Sequence, residues 1–253
     1  MKVDLNCDLG ESFGAYKMGE DERILDYVSS INIACGYHAG DPMVMADTVK
    51  MAVEKNIAIG AHPGFPDLMG FGRRNMQISL DEARNYMLYQ IGALDAFVKA
   101  AGGKLNHVKP HGALYNMAAV DYDLAYALAK AVYDYNKDLI FVALANSQAV
   151  KAAKDAGLKV AGEVFADRAY EEDGTLVSRK KEGAVIKEDD VALARVLEFV
   201  EKRKVVTITG REIDISPDTI CLHGDNEHAV LFAERINKSF KEKGIKIVPV
   251  GQE

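Results

Sequence analysis

Short runs in which apolar and polar residues alternate punctuate this chain, and between them lie longer stretches whose apolar positions recur every three to four residues. The short runs predict seven β-strands, at residues 2–8, 29–35, 57–61, 105–109, 139–144, 158–165 and 219–223. The stretches between them predict helices with recognisable starts. Asp41 followed by Pro42 reads as a cap and a first-turn proline, and Ser79 with Glu82 has capping-box spacing. The helix opened by Ser79 carries Ala83, Met87, Ile91, Leu94, Val98 and Ala101, one stripe suited to lie on a sheet. Strands and helices that alternate through short connections predict a parallel sheet, open or closed into a barrel.

Strand parity selects the barrel. In the first strand Val3, Leu5 and Cys7 share one face, while Asp4, Asn6 and Asp8 share the other. The second sets Ile31, Ile33 and Cys35 against Ser30 and Asn32, and the third sets Ile57 and Ile59 against Ala58, Gly60 and His62. A parallel sheet covered by helices on both sides is apolar on both faces, so a polar or small face belongs in a barrel lumen. His107 and Lys109 of the fourth strand, Ala161, Glu163 and Phe165 of the sixth, and Cys221 and His223 of the seventh fit that face. The expected fold is an α/β single (β/α) barrel of seven parallel strands, one domain over residues 1–253 with a polar upper lumen. Two regions break its rhythm: a glycine- and proline-rich loop at 63–78 beside His62, and an elaborated insertion around 166–218. The insertion holds a polar loop, a helix from about 188 to 202 and a hairpin around Gly210-Arg211.

Ionisable residues next to glycine close several of these strands, where parallel α/β folds gather their chemistry. They are Asp8 in NCDLGES, His38 in ACGYHAGD, His62 in GAHPG, Lys109 and His111 in VKPHGALY, and His223 and Asp225 in CLHGD. A lone histidine is commonly a hydrogen-bonded structural residue, but five of the six histidines fall at this one end. Asp8, His38 and His62 can form an aspartate-plus-two-histidine set for a divalent cation such as zinc or manganese. Lys109 points into the lumen, where it either pairs with Asp8 or Glu163 or clamps an anionic substrate; loss of its charge is expected to cost turnover and little stability. Arg168, after the sixth strand, offers a bidentate partner for a carboxylate or phosphate. Asp8 or Ser12 can also cap a turn, and Asp225 can cap the last helix instead of acting in catalysis.

Bulk properties narrow the partners. The chain has 31 Lys and Arg against 38 Asp and Glu, a formal net charge of −7 that opposes nucleic-acid binding. It has no apolar run of membrane-spanning length and no apolar signal core at its start, so neither membrane insertion nor secretion is expected. Cys7, Cys35 and Cys221 lack CxxC spacing and sit in strand-like runs, as buried thiols of the cytoplasm do. No phosphate loop, GxGxxG turn or GxSxG elbow occurs. Any ATP used by this enzyme is expected to bind outside this chain.

Taken together, the stretches DLNCDLGESFG, NIACGYHAGDP, IGAHPGFPDLMGFGRR, VKPHGALYN, EVFADRAYEEDG and CLHGDN resemble the LamB/YcsF family, the A subunits of prokaryotic 5-oxoprolinases. They run from residue 4 to residue 226. The resemblance implies a barrel related to the glycoside hydrolase and deacetylase barrels. It also implies ATP-dependent hydrolysis of 5-oxoproline (pyroglutamate) to L-glutamate, with partner subunits B and C that handle ATP. On that reading Arg168 or Lys109 holds the substrate carboxylate and any phosphate, with Glu11 and Asp225 also placed to bind substrate. Asp8, His38, His62 and His111 position and deprotonate water, and His223 or Glu163 protonates the departing nitrogen. Two other classes fit the same residues: a metal-dependent deacetylase or amidohydrolase without ATP, and a non-catalytic subunit that binds a small anion.

Overall fold

The computed structural model describes residues 1–19, 21–222 and 227–252. Its elements in chain order begin with β1 (Lys2–Leu9), α1 (Asp21–Ile24), β2 (Ser30–Ala34), α2 (Pro42–Glu54), β3 (Ala58–His62), α3 (Leu80–Ala100) and β4 (Leu105–Val108). There follow α4 (Gly112–Val120), α5 (Tyr122–Tyr135), β5 (Ile140–Leu144), α6 (Gln148–Asp155) and β6 (Lys159–Phe165). The chain ends with α7 (Asp189–Lys202), β7 (Lys204–Val206), β8 (Glu212–Asp214), β9 (Thr219–Leu222), α8 (Glu227–Glu242) and β10 (Lys246–Ile247). Seven strands pair in the order β1-β2-β3-β4-β5-β6-β9, all parallel, and pairing of β1 with β9 closes the barrel. The short β10 adds to the start of β1.

The starts of the helices follow from their sequences. Asp41 caps α2, accepting from the amides of Met43 and Val44 at 2.8 and 3.0 Å ahead of Pro42. Ser79 and Glu82 form the reciprocal capping box of α3, and Ala83, Met87, Ile91, Leu94 and Val98 bury its inner stripe. Ala101 falls at the exposed C-cap instead.

The lumen is filled in layers. At the amino-terminal end Ile140, Val142 and Ala161 pack against Val250, so the tail of the chain stops the bottom of the barrel. Above them Asp4 is buried, its carboxylate accepting from Ser29, Ser30 and Thr219. Burial outweighs those bonds and pushes Asp4 up to about 6. Next, Asn6 donates to Thr219 Oγ1 at 2.7 Å and to Glu163 Oε1 at 3.0 Å, and Asn32 donates to Asn6 and Asp8 at 2.8 and 2.9 Å. His107 Nε2 meets Asn32 Oδ1 at 2.8 Å, and burial with the nearby Lys109 charge lowers this ring to about 3, so it is neutral packing. Gly60 makes room for it: a Cβ there would fall 2.1 Å from His107 Nε2.

Outside the barrel, the insertion pairs Arg168 with Val185 and Tyr170 with Leu176 in single antiparallel bridges, followed by α7 and the β7–β8 hairpin. Ala169, Val177 and Ala184 form its own small core, with Ile208 packed on it.

Candidate active site

The carboxyl ends of the strands open into a cavity of ≈ 1280 Å³. Its floor is an ion cluster. Lys109, the residue after β4, sends its side chain into the lumen, where it is 2% exposed. Nζ lies 2.9 Å from Asp8 Oδ1 and 2.7 Å from Glu163 Oε1, with Asn6 Oδ1 at 3.3 Å and Cys221 Sγ at 3.2 Å. Burial alone would lower this lysine, but the surrounding acids, Asp8 foremost, outweigh it and hold it well above its ordinary value. Asp8 moves oppositely: burial would raise it, and His62 and Lys109 keep its carboxyl well below the usual range. The pair is therefore ionised at neutral pH.

Three imidazoles stand beside this floor. His38 and His111 stack with centroids 3.6 Å apart, and His62 meets them edge-on at 5.4 and 4.8 Å. His62 Nδ1 lies 2.7 Å from the carbonyl oxygen of Lys109, and His111 Nε2 lies 2.8 Å from that of Phe71. The inner nitrogens, His62 Nε2 and His111 Nδ1, face each other at 2.9 Å. Asp8 Oδ2 is 3.3 Å from His62 Nε2, while Glu11 Oε1 is 3.1 Å from His38 Nε2 and 3.6 Å from His111 Nδ1. Burial, reinforced by neighbouring histidines, lowers His38 and His111 well below the ordinary imidazole range. Glu11 is raised, because burial outweighs the attraction of His111.

Glu11, His38, His62 and His111 each offer one ligand atom, all within 4.8 Å of one another, a group able to hold a metal ion. It differs from the Asp8, His38, His62 trio expected from the sequence. Asp8 stands against Lys109 and Asn32 through Oδ1 and meets His62 through Oδ2.

The remaining expected residues fall in different surroundings. Glu163 is fully buried beneath Lys109, so it faces the ammonium and not the open cavity. Arg168 lines the cavity, yet its guanidinium donates to the carbonyls of Val177 at 2.6 Å and Ala184 at 3.4 Å. Much of its donor capacity is thus used in holding the insertion, and burial with nearby Arg179 lowers it to about 10, leaving it charged at neutral pH. His223 and Asp225 lie outside the described residues. Three wall residues had no assigned role in the sequence: Phe71 and Arg73 of the 63–78 loop and Tyr115 of α4. All three sit inside stretches already singled out by motif, but only the folded loop and helix turn them inward. Burial and the nearby Glu163 carboxylate push the Tyr115 phenol well above its ordinary value, so it stays protonated.

A closed parallel barrel here gathers buried carboxylates, imidazoles and an ammonium at its carboxyl end, the end at which barrel enzymes carry their active sites. The chain belongs to the LamB/YcsF family, which it matches over residues 3–253. It is 59% identical over 246 residues to the 5-oxoprolinase A subunit of Bacillus cereus, covering 97% of each chain. Its identity with the corresponding 5-oxoprolinase A subunit of Clostridium beijerinckii is 56% over 249 residues, 98% of each. Among solved structures, the lactam utilization protein of Thermus thermophilus matches with a TM-score of 0.92 at 43% identity, over 98% of this chain and 99% of that one. No described helix is long and apolar enough to cross a membrane.

Proposed function

We propose that this chain opens the ring of 5-oxoproline, giving L-glutamate, as the A subunit of a 5-oxoprolinase. The observation that carries the reading is the Lys109 ammonium fixed between Asp8 and Glu163 at 2.9 and 2.7 Å, directly beside the histidine cluster. Water adds to the ring carbonyl carbon, the C–N bond breaks, and the two hydrogens of water end on the new carboxyl and amine groups. Lys109 opposes the negative charge that develops on the carbonyl oxygen. Asp8, whose carboxylate lies beside Lys109 and the histidine cluster, takes the proton of the attacking water and returns it toward the leaving nitrogen. Glu163 serves as the counter-ion that fixes Lys109, and Arg73 and Arg168 supply positive charge at the wall for the substrate carboxylate. A divalent cation held beside Glu11 would polarise the same water.

The reaction as proposed draws ATP through partner subunits B and C. A planar lactam is stabilised by amide resonance, and the lack of a phosphate-loop spacing in this sequence supports ATP binding on the partners. Three buried free thiols support a cytoplasmic site of action. Mixing the purified chain with subunits B and C and following glutamate release from 5-oxoproline tests the reading: release should need all three chains and ATP. The metal-ready histidine group favours one second reading, an ATP-independent amidohydrolase. Glutamate release by this chain alone, without ATP, would select it.

A further inference from the structure

The tautomers of two histidines are set by their outer contacts. A carbonyl oxygen only accepts, so His62 Nδ1, 2.7 Å from Lys109 O, and His111 Nε2, 2.8 Å from Phe71 O, must each carry a hydrogen. In the neutral rings the inner nitrogens are then both lone pairs, yet they face each other across 2.9 Å. Two lone pairs do not approach so closely unless a proton or a metal cation lies between them. The separation is within a few tenths of an ångström of that of two nitrogens held about 2.1 Å from one ion.

Charge and outer contacts point the same way. Two carboxylates face the paired nitrogens, Asp8 at 3.3 Å from His62 Nε2 and Glu11 at 3.6 Å from His111 Nδ1, which gives the pair an oxygen-donor side suited to a cation. Both facing histidines already have the backbone-carbonyl support typical of metal ligands. His38 does not. Its Nε2 lies 3.1 Å from Glu11 Oε1, and its buried Nδ1 has no hydrogen-bond partner among the described residues. As a ligand through Nε2 it would bury an unmatched N–H at Nδ1; as a donor to Glu11 it leaves only a lone pair there.

We infer that the barrel mouth is a divalent-cation site whose ligands are His62 Nε2, His111 Nδ1 and the Glu11 carboxylate, with His38 as the donor that orients Glu11. Two histidines and one carboxylate with open positions suit manganese, iron(II) or zinc. This assignment differs from a trio of Asp8, His38 and His62, and it leaves Asp8 outside the ligand set, beside Lys109. It deepens the ring-opening reading only in supplying an ion to polarise water, and its test reads the ion instead of turnover.

The full chain, stripped with a chelator and dialysed, is titrated with Mn²⁺ and, separately, with Zn²⁺, and bound metal is counted by elemental analysis and calorimetry. The wild type should take up one equivalent. His62→Ala and His111→Ala should each lose stoichiometric uptake while keeping the wild-type circular dichroism. His38→Gln, whose amide still donates to Glu11, should keep one equivalent with affinity weakened about 10- to 100-fold; His38→Asn repeats this arm if the Gln variant does not fold. A wild-type chain that binds neither ion stoichiometrically overturns the site. Full uptake by folded His62→Ala or His111→Ala, or its abolition in a folded His38 variant, overturns the ligand assignment.

Discussion

A buried ammonium held between two carboxylates cannot be removed without consequence for folding. The sequence suggested that losing the Lys109 charge would leave stability nearly untouched, but the contacts at 2.9 and 2.7 Å mean that Lys109→Met strands Asp8 and Glu163 as uncompensated buried acids. We expect Lys109→Met to lose about 3–5 kcal/mol of stability in urea titrations as well as turnover, and Lys109→Met with Glu163→Gln to recover part of the stability but not the turnover. Asp4 gives a second prediction. Its pKa rises from 3.8 to about 6 on folding, mainly through burial. Between those values the folded chain holds a proton that the unfolded chain releases, so this residue's contribution is most favourable below the window and falls as pH rises through it. The two-unit gap corresponds to about 3 kcal/mol. Urea midpoints measured from pH 4 to pH 7, a range set by that gap, should show the decline in the wild type and a flatter profile in Asp4→Asn, relative to each other.

At the scale of elements, the loop at 63–78 acts through one helix residue. Gln90 of α3 is fully buried and makes two bonds to Gly64, accepting from its amide at 2.9 Å and donating to its carbonyl at 2.9 Å. The same loop supplies the Phe71 carbonyl that fixes the His111 tautomer. Gln90→Leu should therefore cost about 1–3 kcal/mol, speed amide exchange across residues 63–78 and reduce kcat/KM. Amide exchange in that loop unchanged from the wild type would remove Gln90 from this role. The closed barrel and its polar lumen were legible in the sequence because parity along a strand dictates which side chains share a face. Depth in the lumen was not, because it depends on stagger between strands. Glu163 pairs in register with Thr219, and Thr219 with Asp4, which puts Glu163 below Asp8 and out of the open cavity. Tyr115 was hidden for another reason: it sits on a helix whose apolar pattern reads as core. The two carbonyls that set the histidine tautomers belong to the backbone and leave no residue-type signal at all. Arg168 looked free for an anion because its partners, the carbonyls of Val177 and Ala184, arrive through the fold of the insertion.

For the molecule as a whole, a net charge of −7 coexists with a cavity whose wall carries Arg73, Arg168, Arg179 and Lys180. Such an arrangement attracts small anions to one end of an otherwise acidic protein. The bottom is stopped by Val250 and its neighbours, which leaves that same mouth as the open end for the proposed reaction. We place the proposed ring-opening chemistry at this mouth, with Asp8 at its centre. Asp8→Asn keeps the shape and the hydrogen bond from Asn32 while removing the charge that pairs with Lys109 and His62. The most direct measurement is the steady-state rate of glutamate release from 5-oxoproline by subunits B and C reconstituted with either the wild-type or the Asp8→Asn chain, at equal and verified assembly. A loss of about a hundredfold or more is expected. Glutamate release within twofold of the wild-type rate would contradict the claim.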